Sequence, residues 1–217
     1  MTTKPIIPES THSAERAGGH WILARLGKKV LRPGGRETTQ FLLENLSLSG
    51  ATVVEFAPGL GVTARDILGK GPARYIGVDS DADACANVRA ILPAGPHEVR
   101  NTNATDTGLE SDSVDVVIGE AMLTMQTDKH KLELMREAAR ILKPGGLYGI
   151  HELSLVPDNV STAVKEDIAK ALARSIKVNA RPITVPEWAA LAREAGFDVI
   201  NIRQADMALL SLKRNLK

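Results

Sequence analysis

The sequence predicts an α/β fold in which a mostly parallel sheet is covered by helices on both faces. Two observations carry this. Short apolar runs of strand length alternate with amphipathic stretches of helical spacing along most of the chain. The first strong run, Val53-Val54-Glu55-Phe56, also breaks at Ala57-Pro58-Gly59-Leu60-Gly61 and passes straight into a helical segment, Val62–Leu68. Strand, glycine turn and helix in that order form the ligand-binding corner of an open α/β sheet.

The elements follow in order. Residues 1–48 read as an N-terminal helical cover. It has scattered helical spacing around Trp21, Ile22 and Leu26, then a helix over about Arg36–Leu46 carrying Phe41, Leu42 and Leu43. His20 and Trp21 either close over the ligand or pack as an ordinary terminal helix. Residues 49–217 form one further unit. In it, Arg74–Asp79 is a second strand ending on an acid, and a helix capped by Asp81 runs to about Leu92. His97–Arg100 is a weak third strand and Val114–Gly119 a strong fourth, with Glu120 at its end. Asp128–Leu142 is amphipathic and stops at Lys143-Pro144-Gly145-Gly146; Leu147–His151 makes a fifth strand closing on Glu152. Residues 157–182 are a helical insertion, its helix running over Asn159–Ile176, either a cover on the ligand side or an extra packing helix. A last helix, Pro186–Ala195, precedes two strands, Phe197–Arg203 and Met207–Lys213, whose short link makes them antiparallel.

Composition narrows the function. A chain of 217 residues buries a core of its own. A net charge of +1 gives no field for a polyanion, and 3% aromatic content leaves few rings for base stacking, so no nucleic-acid partner is expected. The single cysteine, Cys85, points to a reducing compartment, which makes cytoplasmic the expected location. The polar start lacks a signal-peptide core, and no apolar run approaches the ~20 residues of a membrane span. The histidines show no short metal-ligand spacing, so no metal site is expected.

Glu55 bears on the ligand. Gly59 and Gly61 let a ligand lie against the backbone, and Gly59–Ala64 also fits the G-x-G-x-x-A pattern of dinucleotide turns. A carboxylate there repels a pyrophosphate by roughly 3 kcal/mol at about 5 Å and an effective dielectric of about 20. It attracts a ligand with ammonium and sulfonium charges by a similar amount. S-adenosylmethionine (SAM) has both. Asp79, about 20 residues past the turn, suits the two hydroxyls of an adenosine ribose. An NAD(P)-dependent oxidoreductase, a SAM-binding protein without catalysis, and a glycine turn that binds nothing are the competing readings.

From about Thr52 to Lys213 the chain resembles the class I SAM-dependent methyltransferases. The resemblance rests on Val-Val-Glu-Phe-Ala-Pro-Gly-Leu-Gly, Tyr-Ile-Gly-Val-Asp79, Asn103-Ala104, Arg140-Ile-Leu-Lys-Pro-Gly-Gly146 and Ala195-Gly-Phe197, in one order. It implies a Rossmann-like three-layer sandwich with a seven-stranded, mostly parallel sheet and an antiparallel last strand. It also implies roles. Glu55 serves the cofactor's amino group; Ala57, Gly59 and Gly61 let the methionine portion lie close; Asp79 holds the ribose. Ser80 faces adenine, Asn103 and the Ala104 amide address it, and Glu120 and Ala121 line the methionine side. Ala57 stands where glycine is usual, so its turn is expected to accept a methyl without positive φ.

Methyl transfer from a sulfonium is an in-line displacement, in which positioning supplies roughly 7–11 kcal/mol of the barrier. A hydroxyl or ammonium acceptor also needs a base. His151 is the first candidate, with Glu152 and Glu120 next; the alternative for His151 is a satisfied histidine at a strand end. The expected reaction moves a methyl group to an O, N or C centre of a small-molecule acceptor and leaves S-adenosylhomocysteine. An Asn/Asp-Pro-Pro-Tyr-type motif, a mark of nucleic-acid methyltransferases, is absent after the fourth strand, where Glu120-Ala121-Met122-Leu123 stands.

Overall fold

The computed structural model describes residues 35–176 and 179–206. His20, Trp21, most of the N-terminal cover and the Met207–Lys213 strand lie outside them. Helix α1 (Gly35–Glu44) leads to β1 (Thr52–Phe56), α2 (Val62–Leu68), β2 (Arg74–Asp79) and α3 (Ala82–Arg89). Then come β3 (Glu98–Asn101), β4 (Val114–Glu120), a 3-10 turn (Leu123–Met125), α4 (Asp128–Ile141) and β5 (Leu142–His151). Short β6 (Ser154–Leu155) and β7 (Ile183–Thr184) flank α5 (Thr162–Ile176), and α6 (Val185–Glu194) follows.

Local chemistry explains the boundaries. Asp81 caps α3 by accepting from the Ala84 amide at 2.9 Å, as the sequence predicts. Thr127 caps α4, while Thr184 and Glu187 form a capping box on α6 with Pro186 in its first turn. Gly61 starts α2 in the left-handed conformation, which only glycine adopts freely.

Among the described residues the main sheet is five-stranded, in the order β3-β2-β1-β4-β5, and all of these pairings are parallel. Its central strands β1, β2 and β4 are largely apolar on both sides because both sides are covered. On one face Val53, Tyr75, Val116 and Ile118 pack with Leu43 of α1, Ala64 and Ile67 of α2 and Val88 of α3. On the other, Val54, Phe56, Val78 and Val117 pack with Leu134, Met135 and Ala138 of α4 and Trp188 of α6. This is the expected Rossmann-like three-layer sandwich.

Among the described residues the sheet has five strands rather than the expected seven, and β6 pairs with β7 in a separate two-stranded sheet. The run Phe197–Arg203 alternates like a strand but forms no ladder among the described residues. Ile200 and Ile202 are 79% and 54% exposed. Side chains hold the segment instead: Asn201 bonds Asn45, and Arg203 reaches Glu37 and lies over the Phe41 ring of α1.

Candidate active site

Parallel register brings the C-terminal ends of all five strands to one edge. Phe56 is level with Val78 and Gly119, Asp79 with Asn101, and Glu120 with His151. β1 connects to β2 on one side while β4 lies on the other, so the strand order reverses beside β1. Ligands of open α/β sheets bind in the crevice at such a reversal. The glycine turn occupies it. Its residues Ala57, Gly59 and Gly61 have φ of 53°, 54° and 70°. Ala57 therefore does adopt the left-handed conformation, contrary to the expectation from sequence. Its amide bonds the Val78 carbonyl at 2.8 Å, which fixes the turn, and its exposed methyl meets no wall.

Asp79 lies under this turn. One carboxylate oxygen accepts from the Gly59 amide at 3.2 Å and the other from the Asp81 amide at 3.0 Å. Burial raises its carboxyl pKa, and those two amides oppose the rise. A carboxylate has about four lone-pair sites, so these amides leave acceptor capacity for a ligand. Ser80 beside it is exposed. The Cys85 thiol rests against the Asp79 carbonyl at 3.4 Å, and Asn101 donates to that carbonyl at 3.0 Å. In the next loop Asn103 is exposed and accepts from the Thr105 amide at 3.0 Å, while Ala104 is buried.

Glu55 is only 3% exposed and receives the Tyr75 hydroxyl at 2.6 Å. Burial first, then the Glu55 charge, push the Tyr75 phenol up. Gly77 makes the contact possible: a Cβ there would lie 3.2 Å from that hydroxyl.

Glu120 and His151, both predicted, meet at 2.8 Å through the His151 Nδ1. Glu120 also receives the Thr39 hydroxyl from α1 at 2.7 Å and the Thr63 hydroxyl from α2 at 2.5 Å. Ala121 turns the chain away with φ of 53° and bonds the His151 carbonyl at 2.8 Å. Glu152 is placed apart from this pair. It accepts from the Met122, Leu123 and Thr124 amides at 2.9, 2.7 and 3.0 Å, and from the Thr124 hydroxyl at 2.6 Å. Burial raises Glu152, and these donors oppose it. Its chemistry is that of a clamp on the loop after β4. Sequence reasoning missed Thr39, Thr63 and Tyr75. The available signal was a polar residue on a buried stripe: Thr39 shares its helical face with Leu43. Among the described residues no group of three or more His, Cys, Asp or Glu is placed to hold a metal.

Residues 53–146 match the methyltransferase domain family. The chain is a class I SAM-dependent methyltransferase. S-adenosylmethionine is the cofactor of this methyltransferase family. An uncharacterised protein of Haemophilus influenzae is 38% identical to this methyltransferase over 200 residues, covering 90% of this chain and 78% of that one. Two solved structures share the fold. A methyltransferase in complex with the Trm112 methyltransferase activator of Haloferax volcanii is 24% identical over 76% of this chain and 69% of its own (TM-score 0.61). Phosphoethanolamine N-methyltransferase 2 of Haemonchus contortus, in complex with phosphomonomethylethanolamine and S-adenosylhomocysteine, is 19% identical over 88% of this chain and 44% of its own (TM-score 0.65).

Proposed function

We propose that this methyltransferase acts on a small-molecule acceptor carrying an O–H or N–H group, with His151 as general base. The Glu120–His151 pair, level across β4 and β5 and one strand away from the glycine turn, carries the reading. Glu120 accepts the hydrogen bond of the His151 Nδ1–H, which leaves the His151 Nε2 lone pair to accept the acceptor's proton. The imidazolium that results is stabilised by the Glu120 charge. Near-balanced chain charge and the phosphomonomethylethanolamine bound in the Haemonchus contortus neighbour support a small molecule.

The residues present fit the cofactor. An open turn with left-handed backbone at Ala57, Gly59 and Gly61 leaves room for a chain laid along it, and Asp79 keeps acceptor capacity for ribose hydroxyls. Glu55, on the side of the sheet shared with Glu120, supplies the negative field for the amino group. Ser80, Asn103 and Ala104 border the adenine end, and Glu120 and Ala121 the methionine end. When bound, S-adenosylmethionine supplies an electrophilic methyl group and is left as S-adenosylhomocysteine. Residues 1–48 act as a cover and 49–217 as the catalytic unit. The 157–182 insertion caps the acceptor side, where Lys165 of α5 joins Glu187 of α6 at 2.5 Å.

Calorimetric titration with SAM, S-adenosylhomocysteine and NAD(H) tests the first half: the two adenosyl compounds bind, and binding of NAD(H) alone defeats it. Methyl-labelled SAM incubated with a metabolite extract tests the second. Label is expected in a low-mass product with the wild type and lost with His151→Ala; label transferred only to protein or RNA contradicts the small-molecule reading.

A further inference from the structure

Glu120 is held from three elements at once. Thr39 and His151 Nδ1 reach its Oε1, and Thr63 reaches its Oε2. The donors are themselves buried: Thr39, Thr63 and His151 are 0%, 4% and 7% exposed. A hydroxyl facing a carboxylate donates, so both threonines present hydrogen to Glu120 and keep it an acceptor. An acceptor-only carboxylate in turn makes His151 Nδ1 a donor. This fixes the imidazole tautomer with its lone pair on Nε2, which forms no hydrogen bond among the described residues. Thr63 has a second connection: it is the second residue of α2, whose N-cap is Gly61 of the glycine turn. Any shift of that turn moves the Thr63 hydroxyl.

We propose that Thr39 and Thr63 are positioning residues that hold the Glu120–His151 pair in its base-competent tautomer, and that Thr63 ties this pair to the cofactor turn. The proposal rests on the reading of His151 as base. Its consequence is reciprocal linkage: occupancy of the turn alters the His151 environment, and loosening the pair alters cofactor binding by the same factor.

The test is nitrogen-15 NMR of the imidazoles in the full chain, with the His151 signals assigned by their loss in His151→Ala. Thr63→Val, Thr63→Ser, Thr39→Val and Thr39→Ser are compared with wild type, with and without S-adenosylhomocysteine. Wild-type His151 is expected as the Nδ1–H tautomer, and its Nε2 resonance shifts when S-adenosylhomocysteine is added. Each valine variant mixes the tautomers, and Thr63→Val loses at least half of the ligand-induced shift; each serine variant restores wild-type behaviour. With a protic acceptor in hand, the valine variants lose on the order of tenfold in kcat while KM for the acceptor stays put. The serine variants keep the hydroxyl and the fold, so a loss confined to the valine variants is not an unfolding effect. Unchanged tautomer and unchanged ligand response in both valine variants overturn the proposal. The base reading fails separately: if His151→Ala retains transfer while Thr63→Val still mixes the tautomers, the threonine network stands and the base does not.

Discussion

A carboxylate that receives two hydroxyls and an imidazole is poorly replaced by an amide, because an amide nitrogen would point a donor at another donor. Glu120→Gln is therefore expected to lower kcat by about 10² or more, and His151→Ala by a similar factor, within the usual range for general acid–base groups. Initial rates at saturating S-adenosylmethionine and acceptor, compared with wild type, check this. Ala57 leads to a prediction of the opposite sign. A non-glycine residue at φ 53° costs about 1–2 kcal/mol, and glycine returns about 0.4–1 kcal/mol of that as unfolded-state entropy. Ala57→Gly should thus stabilise the protein by roughly 0.5–1 kcal/mol, read by urea denaturation. The strand-end acids were legible from sequence because each closes an apolar run. The threonines that bind Glu120 were not, because 81 and 57 residues separate the partners and only the fold brings them together.

Elements succeed or fail as strands according to what lies beside them. β1, β2 and β4 were readable because both faces are buried, and a continuous valine and isoleucine run survives without context. Phe197–Arg203 has the right alternation but its side chains, not its backbone, hold it to α1. Close packing of α1 on β5 is equally specific. A Cβ on Gly149 would meet Leu42 and Leu46 at 2.8 and 2.9 Å. Gly149→Ala should destabilise by about 1–3 kcal/mol through overpacking, and it should weaken the Thr39–Glu120 bond by lifting α1. Chemical denaturation measures the first effect and the His151 resonances the second. At the α5–α6 junction, burial pushes Glu187 up, but Lys165 and Thr184 outweigh it and hold its pKa at about 2 against an ordinary 4.5. A depressed carboxyl stabilises the folded state above its unfolded value and loses that contribution as pH falls. The stability advantage of wild type over Glu187→Gln should accordingly shrink from pH 4.5 down to about 2, as denaturation at stepped pH would record.

For the molecule as a whole, the strand order sets the division of labour. Asp79 and the Asn103 loop fall on the β2–β3 side of the glycine turn, Glu120 and His151 on the β4–β5 side. On the proposed reading, the groups for the cofactor's ribose and adenine thus come from one half of the sheet and the base from the other. A ligand bridging the halves should stabilise the fold by about 2.7 kcal/mol at a hundredfold excess over Kd. Thermal melts with S-adenosylhomocysteine test this, and Asp79→Ala should abolish most of the rise in Tm. The thiol that lies against the Asp79 carbonyl has a practical use. Cys85 is 0% exposed and is the chain's single cysteine. A disulfide reagent can thus modify the protein at one atom, and only when the β2–α3 region breathes open. The labelling rate is a native stopwatch for that opening, and it should slow in proportion to how firmly an adenosyl ligand pins the strand end above it.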